Sequence, residues 1–285
     1  MCEVGAIEEL WRYPIKSMLG QRLAQAAVTE LGVPGDRRLA LVDRESGKVA
    51  SAKVPRLWRD LLRCAASIEV PAKTEAAAVR ISLPDDKPFW STDADADERL
   101  SGFIGRSVHL TDTPPAQATL DRSRPDEVLS DGLDAEVEAD IIQMGGGGPA
   151  GTFVDYAPLH LITTSTLDRI AELGARGEIE RERYRPNLVI RTTEHGFVEN
   201  TWLDREVHIG KDLRLKVLAI TPRCAVPTLE HGALPRDVMA LRTVALHNRV
   251  APLTGVSPEP CAGVYAQVVA PGRIGLGDKV LVSVD

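Results

Sequence analysis

Aromatic residues are scarce: Phe, Trp and Tyr together make up 4% of the 285 residues. The core of such a chain must be filled by Val, Leu, Ile and Ala. Cysteine is also sparse, and the four thiols at positions 2, 64, 224 and 261 form no CxxC pair, so neither a zinc ribbon nor a four-cysteine iron–sulfur cluster is indicated. No apolar run approaches the roughly 18 residues of a membrane helix. The start, "MCEVGAIEEL", carries Glu where a secretory leader carries positive charge. Lys and Arg gather into no block, and 34 basic against 41 acidic residues give a net charge of −7. Nucleic acid and membrane surfaces are therefore not expected partners, and a cytoplasmic location is expected.

What is present is an ordinary globular composition, 44% apolar and 26% charged, in a chain long enough for two modules. The first third reads as short strands, "IEELWRYPIKSM", "RRLALVD", "ASIEV", "VRISL" and "SVHLTD", separated by Gly, Pro and Asp turns. That spacing predicts a small β-barrel or sandwich. Two helices are expected within it, around residues 56–65 and 97–105. Leu57, Leu61 and Cys64 recur at helical spacing in the first, which predicts Cys64 as a buried small hydrophobe.

Residues 121–151 read as a linker and entry segment ending in "GGGGPAG". Four glycines could cradle a phosphate, but no GK[ST] follows and no apolar strand precedes, so a flexible connector is the favoured reading. Beyond it, "PLHLITT" predicts a strand and "STLDRIAELGARG" a Ser- or Thr-capped helix. Strands follow at "NLVIRT", "REVHIG" and "LRLKVLAIT". A second helix is expected in "LPRDVMALRTVALHN", with Pro235 near its start and Val238, Leu241, Ala245 and Leu246 on its apolar face. The fold class is mixed, β-rich α/β: a β-barrel-like domain over 1–120, the linker, and a second β-barrel domain with packed helices over 152–285.

The stretch "TPRCAVPT" places Cys224 between Pro222 and Pro227, which fix φ and remove backbone donors. Local physics leaves two readings open, a stiff structural turn and a displayed reactive thiol. Arg223 beside it could lower the thiol pKa, although adjacent side chains on an extended segment tend to diverge. "RYPIKS", "GDRR" and "RYRPNLVI" also pair cations with stiff or turning backbone. With Arg223 they could surround one anion. His231, Asp237 and Glu230, downstream of the thiol, read as a solvated loop, and no general acid is identifiable.

In order along the chain, "LWRYPIKSMLGQRL", "GVPGDRRLALVD", "PAGTFVDYAPLHLITTSTL", "RYRPNLVI", "TPRCAVPT" and "VVAPGRIGLGDKV" resemble the MOSC-domain proteins, whose name refers to the C-terminal domain of molybdenum cofactor sulfurase, with that family's N-terminal β-barrel domain in front. The resemblance implies a molybdenum cofactor, a pyranopterin dithiolene holding molybdenum, with Cys224 as the protein's thiolate ligand and catalytic centre. It implies cofactor contacts from Lys16, Ser17, Arg37, Arg185, Asn187, Arg223 and Tyr265, and from Thr163 and Thr164 in "LITTSTL". Similarity to the amidoxime-reducing components further implies reduction of a small N-hydroxylated substrate. The electrons would come from a separate donor protein, since no iron–sulfur cluster is expected in this chain. Two alternatives use the same residues: a sulfur carrier with a Cys224 persulfide, and a protein that stores the cofactor. A pyridoxal phosphate role for Lys16 is weaker, because no partner for a pyridine nitrogen is identifiable.

Overall fold

The structure, a computed structural model, describes residues 1–69, 78–115, 118–144 and 152–284. Its centre is a closed barrel of seven strands: β1 (Cys2–Arg12), β2 (Leu159–Thr163), β3 (Leu188–Thr192), β4 (Glu206–Ile209), β5 (Leu213–Pro222), β6 (Glu259–Ala270) and β7 (Lys279–Val282). The order around it is β2-β3-β1-β7-β4-β5-β6, and β6 pairs back with β2 to close the ring. Period-two alternation explains the closure: Leu213, Leu215 and Val217, for example, all point into one aliphatic core. The scarcity of aromatics is met as expected, with Trp202 the one aromatic in that core.

Only β2 and β3 run parallel, Leu161 opposite Leu188 and Thr163 opposite Ile190. Parallel neighbours need a crossover, and the helix Thr164–Leu173 begins it. Its N-cap is Thr163, whose hydroxyl accepts from the Thr166 N–H, so the expected Ser or Thr cap is a threonine. The chain's first strand, β1, lies between β3 and β7, pairing Ile7 with Ile190 and Cys2 with Val282. Barrel closure thus draws on both ends of the chain, a pairing that reading the segments in order does not reveal.

The second core gathers Ile15, Met18, Leu41, Leu61, Ile81 and Leu100 beneath small antiparallel sheets. The helix expected at 97–105 is Ala96–Ile104, stopped by Gly105 at φ 74°. The one expected at 56–65 is shorter: an α-turn at Pro55–Trp58 and a 3-10 turn at Arg59–Arg63. Cys64 then turns extended, because Ala65–Ile68 is recruited as a strand opposite Val79–Ser82. Its burial is as expected.

Residues 119–143, mostly within the expected linker, form a strap instead. Strand Thr119–Ser123 pairs with Ala139–Gln143 around the helix Pro125–Asp131. The strap is tied down by Val49 N–H to the Thr119 carbonyl at 3.1 Å and Ser123 N–H to the Lys53 carbonyl at 3.1 Å. The glycine run at 145–151 lies outside the described residues.

The last helix is Met239–His247, starting four residues beyond Pro235. Its inward face carries Ala240, Leu241 and Val244, while Leu246, expected to pack, is 75% exposed. At 3.6 residues per turn Leu246 stands about 140° around the helix from Leu241, off the packed stripe. Leu241→Ala should therefore cost about 3 kcal/mol through the cavity it leaves, and Leu246→Ala less than about 0.5 kcal/mol. Urea unfolding midpoints distinguish the two.

Candidate functional site

A cavity of about 320 Å³ is lined from both parts of the molecule. Lys16, Ser17 and Arg37 come from the segment after β1; Arg185, Asn187, Arg223, Cys224 and Tyr265 come from β6 and the barrel's connections. Eight of the ten residues singled out from sequence therefore share one cavity. Tyr13 forms a platform beneath it: the Arg37 and Arg185 guanidinium carbons lie 4.6 and 4.4 Å from its ring centroid. Arg37 also donates to Asn187 Oδ1 at 3.1 Å and to the Arg185 carbonyl at 3.1 Å, so the two arms brace each other.

Ser17, Arg37 and Arg185 all adopt left-handed backbone, with φ of 64°, 44° and 54°. The other two non-glycine cases among the described residues are Asp85 and Asp204, a residue type that tolerates this region. Backbone strain in bulky and cationic residues thus gathers at the cavity. Strain of this kind persists where surrounding contacts over-determine it.

Six cations line the space, Lys16, Lys53, Arg37, Arg122, Arg185 and Arg223, with Asp155 and Glu259 as the acidic lining. Asp155 sits between the two lysines, 2.5 Å from Lys16 and 3.0 Å from Lys53. Burial raises the carboxyl's pKa, but the two ammonium groups override it and hold Asp155 well below the usual range. Burial lowers Lys16 to about 8 despite Asp155. Lys53 moves the other way: Asp155 first, then Cys224, raise it against burial. Burial, then the charge of Arg37, lowers Arg185 to about 10. Arg185 Nη1 and Arg223 Nε are buried without a hydrogen-bond partner. In a chain of net charge −7, this pocket is built to receive an anion.

The thiols divide clearly. Cys64 and Cys261 are fully buried, and burial pushes each up to about 12. Cys261 Sγ lies 3.6 Å from the Val250 carbonyl, away from the cavity lining. Cys2 is exposed. Cys224 alone of the four lines the cavity, together with Lys53 and Arg122.

Thr163 and Thr164 do not line it. Thr163 donates to buried Glu199 at 2.7 Å, and Thr164 Oγ1 accepts from the Thr192 N–H at 3.1 Å. His231 and Asp237, read from sequence as solvated, are 3% and 8% exposed. Asp237 accepts from the Met239 N–H at the start of the last helix, 2.9 Å, and pairs with Arg176 at 2.9 Å. Only Glu230 of that trio is exposed.

Sequence reasoning missed Lys53, Arg122, Asp155, Tyr156, His160 and Glu259. Asp155, Tyr156 and His160 sat inside a quoted motif; nothing local marks Arg122, which reaches Glu259 at 3.0 Å across 137 residues. His160 is buried and held neutral, its pKa pushed well down by burial and then by Arg223. Its Nε2 lies 3.4 Å from Arg223 Nη1, so it takes the acceptor role. The scarce aromatics converge too: Tyr13, Tyr156, Tyr184 and Tyr265 all lie in or under the site.

The family models agree with this architecture. The MOSC domain matches residues 149–281 and the MOSC N-terminal beta barrel domain residues 4–113, so the chain belongs to the MOSC-domain proteins. MOSC domains are associated with molybdenum cofactor binding. The chain is 25% identical to mitochondrial amidoxime reducing component 2 of Rattus norvegicus, over 99% of its length and 85% of that protein's. It is 25% identical to mitochondrial amidoxime-reducing component 1 of Homo sapiens, over 98% and 83%. The solved YUAD protein from Bacillus subtilis superposes over 98% of this chain and 95% of its own, with a TM-score of 0.46 at 11% identity. Among the described residues no helix is long and apolar enough to cross a membrane.

Lys16 gives the site a pH signature. It titrates near 10.5 when unfolded and near 8 in the fold. Between those values the unfolded chain holds the extra proton, so stability rises with pH across that window, and below it the full cost of burying the ammonium is present. Lys16→Met should remove this rise, which amounts to at most about 1.4 kcal/mol per pH unit. Urea unfolding of both proteins at the two ends of the window checks it.

Proposed function

We propose that the protein binds molybdenum cofactor in this cavity and reduces small N-hydroxylated compounds, taking electrons from a separate donor protein. The observation that carries this reading is the convergence of a thiol, six cations and two unpartnered guanidinium nitrogens on one cavity. Among the described residues no cluster of three or more His, Cys, Asp or Glu side chains could hold a metal ion. The donor set therefore fits a metal that arrives with most of its ligands, needing one soft thiolate from the protein and cations for an anionic tail.

In this arrangement Cys224 supplies the thiolate. Lys16, Arg185 and Arg223 bind the anionic end, with Arg185 Nη1 and Arg223 Nε as the free donors. Arg37 and Asn187 hold Arg185 in place through its carbonyl and their mutual hydrogen bond. Neutral His160 orients Arg223. Pro252, Leu253 and Val256 supply apolar walls that limit water. Once bound, the cofactor supplies two-electron chemistry that takes an N–OH group to N–H, with two protons carrying the oxygen away as water. Lys16, with its pKa near 8, holds a proton that can be exchanged near neutral pH.

The relatives' printed names, amidoxime-reducing components, support this choice of reaction.

Protein made in a cofactor-producing host should carry about one molybdenum per chain, and Cys224→Ser should retain less than about a tenth of it. Arg185→Met should weaken retention about tenfold. Reproducible absence of the metal, with a labile sulfur on Cys224, contradicts this reading and favours sulfur transfer. Metal retained without reduction of benzamidoxime by any chemical or protein donor favours storage.

A further inference from the structure

Arg183 is the largest fully buried side chain among the described residues. A guanidinium stays charged at every accessible pH, so its burial requires that its donors be met. Its Nε donates to Glu180 at 2.6 Å. The remaining donors go to backbone carbonyls: Pro227 at 3.5 Å, Leu229 at 3.2 Å and Pro235 at 2.8 Å. All three acceptors belong to the one irregular connection that leaves β5 through Arg223 and Cys224. Pro227 and Pro235 have no N–H, so this stretch cannot build a full backbone ladder of its own. Apart from short internal turns, its carbonyls are held from outside mainly by this one cation, with Gly232 N–H to the Leu62 carbonyl at 3.0 Å and Arg176 on Asp237 at 2.9 Å as further ties.

The same short 3-10 turn, Arg181–Tyr184, reaches the cavity on its other side. The Tyr184 carbonyl accepts from Arg223 Nη2 at 3.0 Å, and Arg185, next in sequence, enters the anion pocket in left-handed backbone. Three consecutive residues thus grip the segment after the thiol, the arginine before it and the anion site. Glu180 anchors the turn. Its carboxyl is lowered to about 2, since Arg176 and Arg183 outweigh the effect of burial, and Arg176 continues to Asp237 at the foot of the last helix.

We infer that Arg183 is a positioning residue for Cys224: its buried guanidinium fixes the carbonyls that follow the thiol and so sets where the sulfur stands against Lys53, Arg122 and the anion pocket. The inference rests on the reading of Cys224 as the functional thiol. Its test does not need the metal.

In metal-free protein, iodoacetamide labelling of each cysteine is followed by peptide mass spectrometry, with buried Cys64 and Cys261 reporting whether the whole fold has opened. Arg183→Met should raise Cys224 labelling at least about tenfold while Cys64 and Cys261 stay protected, as local release of one segment requires. Arg183→Lys, which keeps the charge but lacks the planar fork, should fall between the two and restore part of the slow labelling. Should Arg183→Met fail to fold, Arg183→Lys decides. A selective rise at Cys224 supports the inference. Labelling at the wild-type rate, or a parallel rise at all three buried thiols, overturns it. Wild-type protein that never takes up molybdenum would sink the proposed function and leave this result standing.

Discussion

Closure of the barrel by β1 is the constraint from which the site follows. Seated between β3 and β7, this strand ends beside Asn187, with Trp11 N–H donating to the Asn187 carbonyl at 2.8 Å and the Asn187 amide reaching back to the Trp11 carbonyl at 3.4 Å. The chain leaving that strand must pass over the same end of the barrel where β5 delivers Cys224. Lys16, Ser17 and Arg37 are therefore brought to Arg185 and Arg223 by sheet pairing, before any ligand is considered. Removing β1 from the ring would dissolve the anion pocket together with the barrel wall.

Cost and function meet in the same residues. A buried cluster of like charges and three left-handed backbones is unfavourable in isolation. Here three carboxylates, Asp155, Glu259 and Asp36, which pairs with Arg37 at 2.5 Å, offset half of the six positive charges, and the offset is incomplete where it matters: two guanidinium nitrogens retain no partner. An anion arriving there would satisfy donors that the folded protein leaves unsatisfied. The thiol side follows the same logic, with the buried Arg183 guanidinium meeting three carbonyls of a proline-rich segment.

Much of the barrel was legible, because alternation in "LRLKVLAIT" or "NLVIRT" marks strands whose inner residues are aliphatic. What could not be read was pairing. Nothing in the local pattern of "EVGAIEELWR" says that it will lie beside residues nearly two hundred positions away. The strap at 119–143 was missed for a related reason: its Asp, Glu, Pro and Gly content resembles a linker, while its order comes from Val49 and Lys53 in another part of the chain. At the site, the residues carried by the resemblance reach one cavity, except the two threonines: Thr163 serves Glu199 and caps the following helix, and Thr164 accepts from the Thr192 N–H. Arg122, Lys53 and His160 had no local signature, since a lone cation or histidine acquires meaning only from what the fold places opposite it. His231 and Asp237 were misread because a sequence with Pro, Gly and charges looks solvated, and the buried Arg183 that draws the segment inward is forty-odd residues upstream.

The central claim is that one pocket holds molybdenum at Cys224 and an anionic group at Arg185 and Arg223. Anomalous diffraction at the molybdenum edge, from crystals of cofactor-loaded protein, tests it most directly. The account predicts a single anomalous peak within bonding distance of Cys224 Sγ, with density for an anion against the free nitrogens of Arg185 and Arg223. A peak elsewhere on the molecule, or a metal at Cys224 with those two arginines left empty, would contradict it.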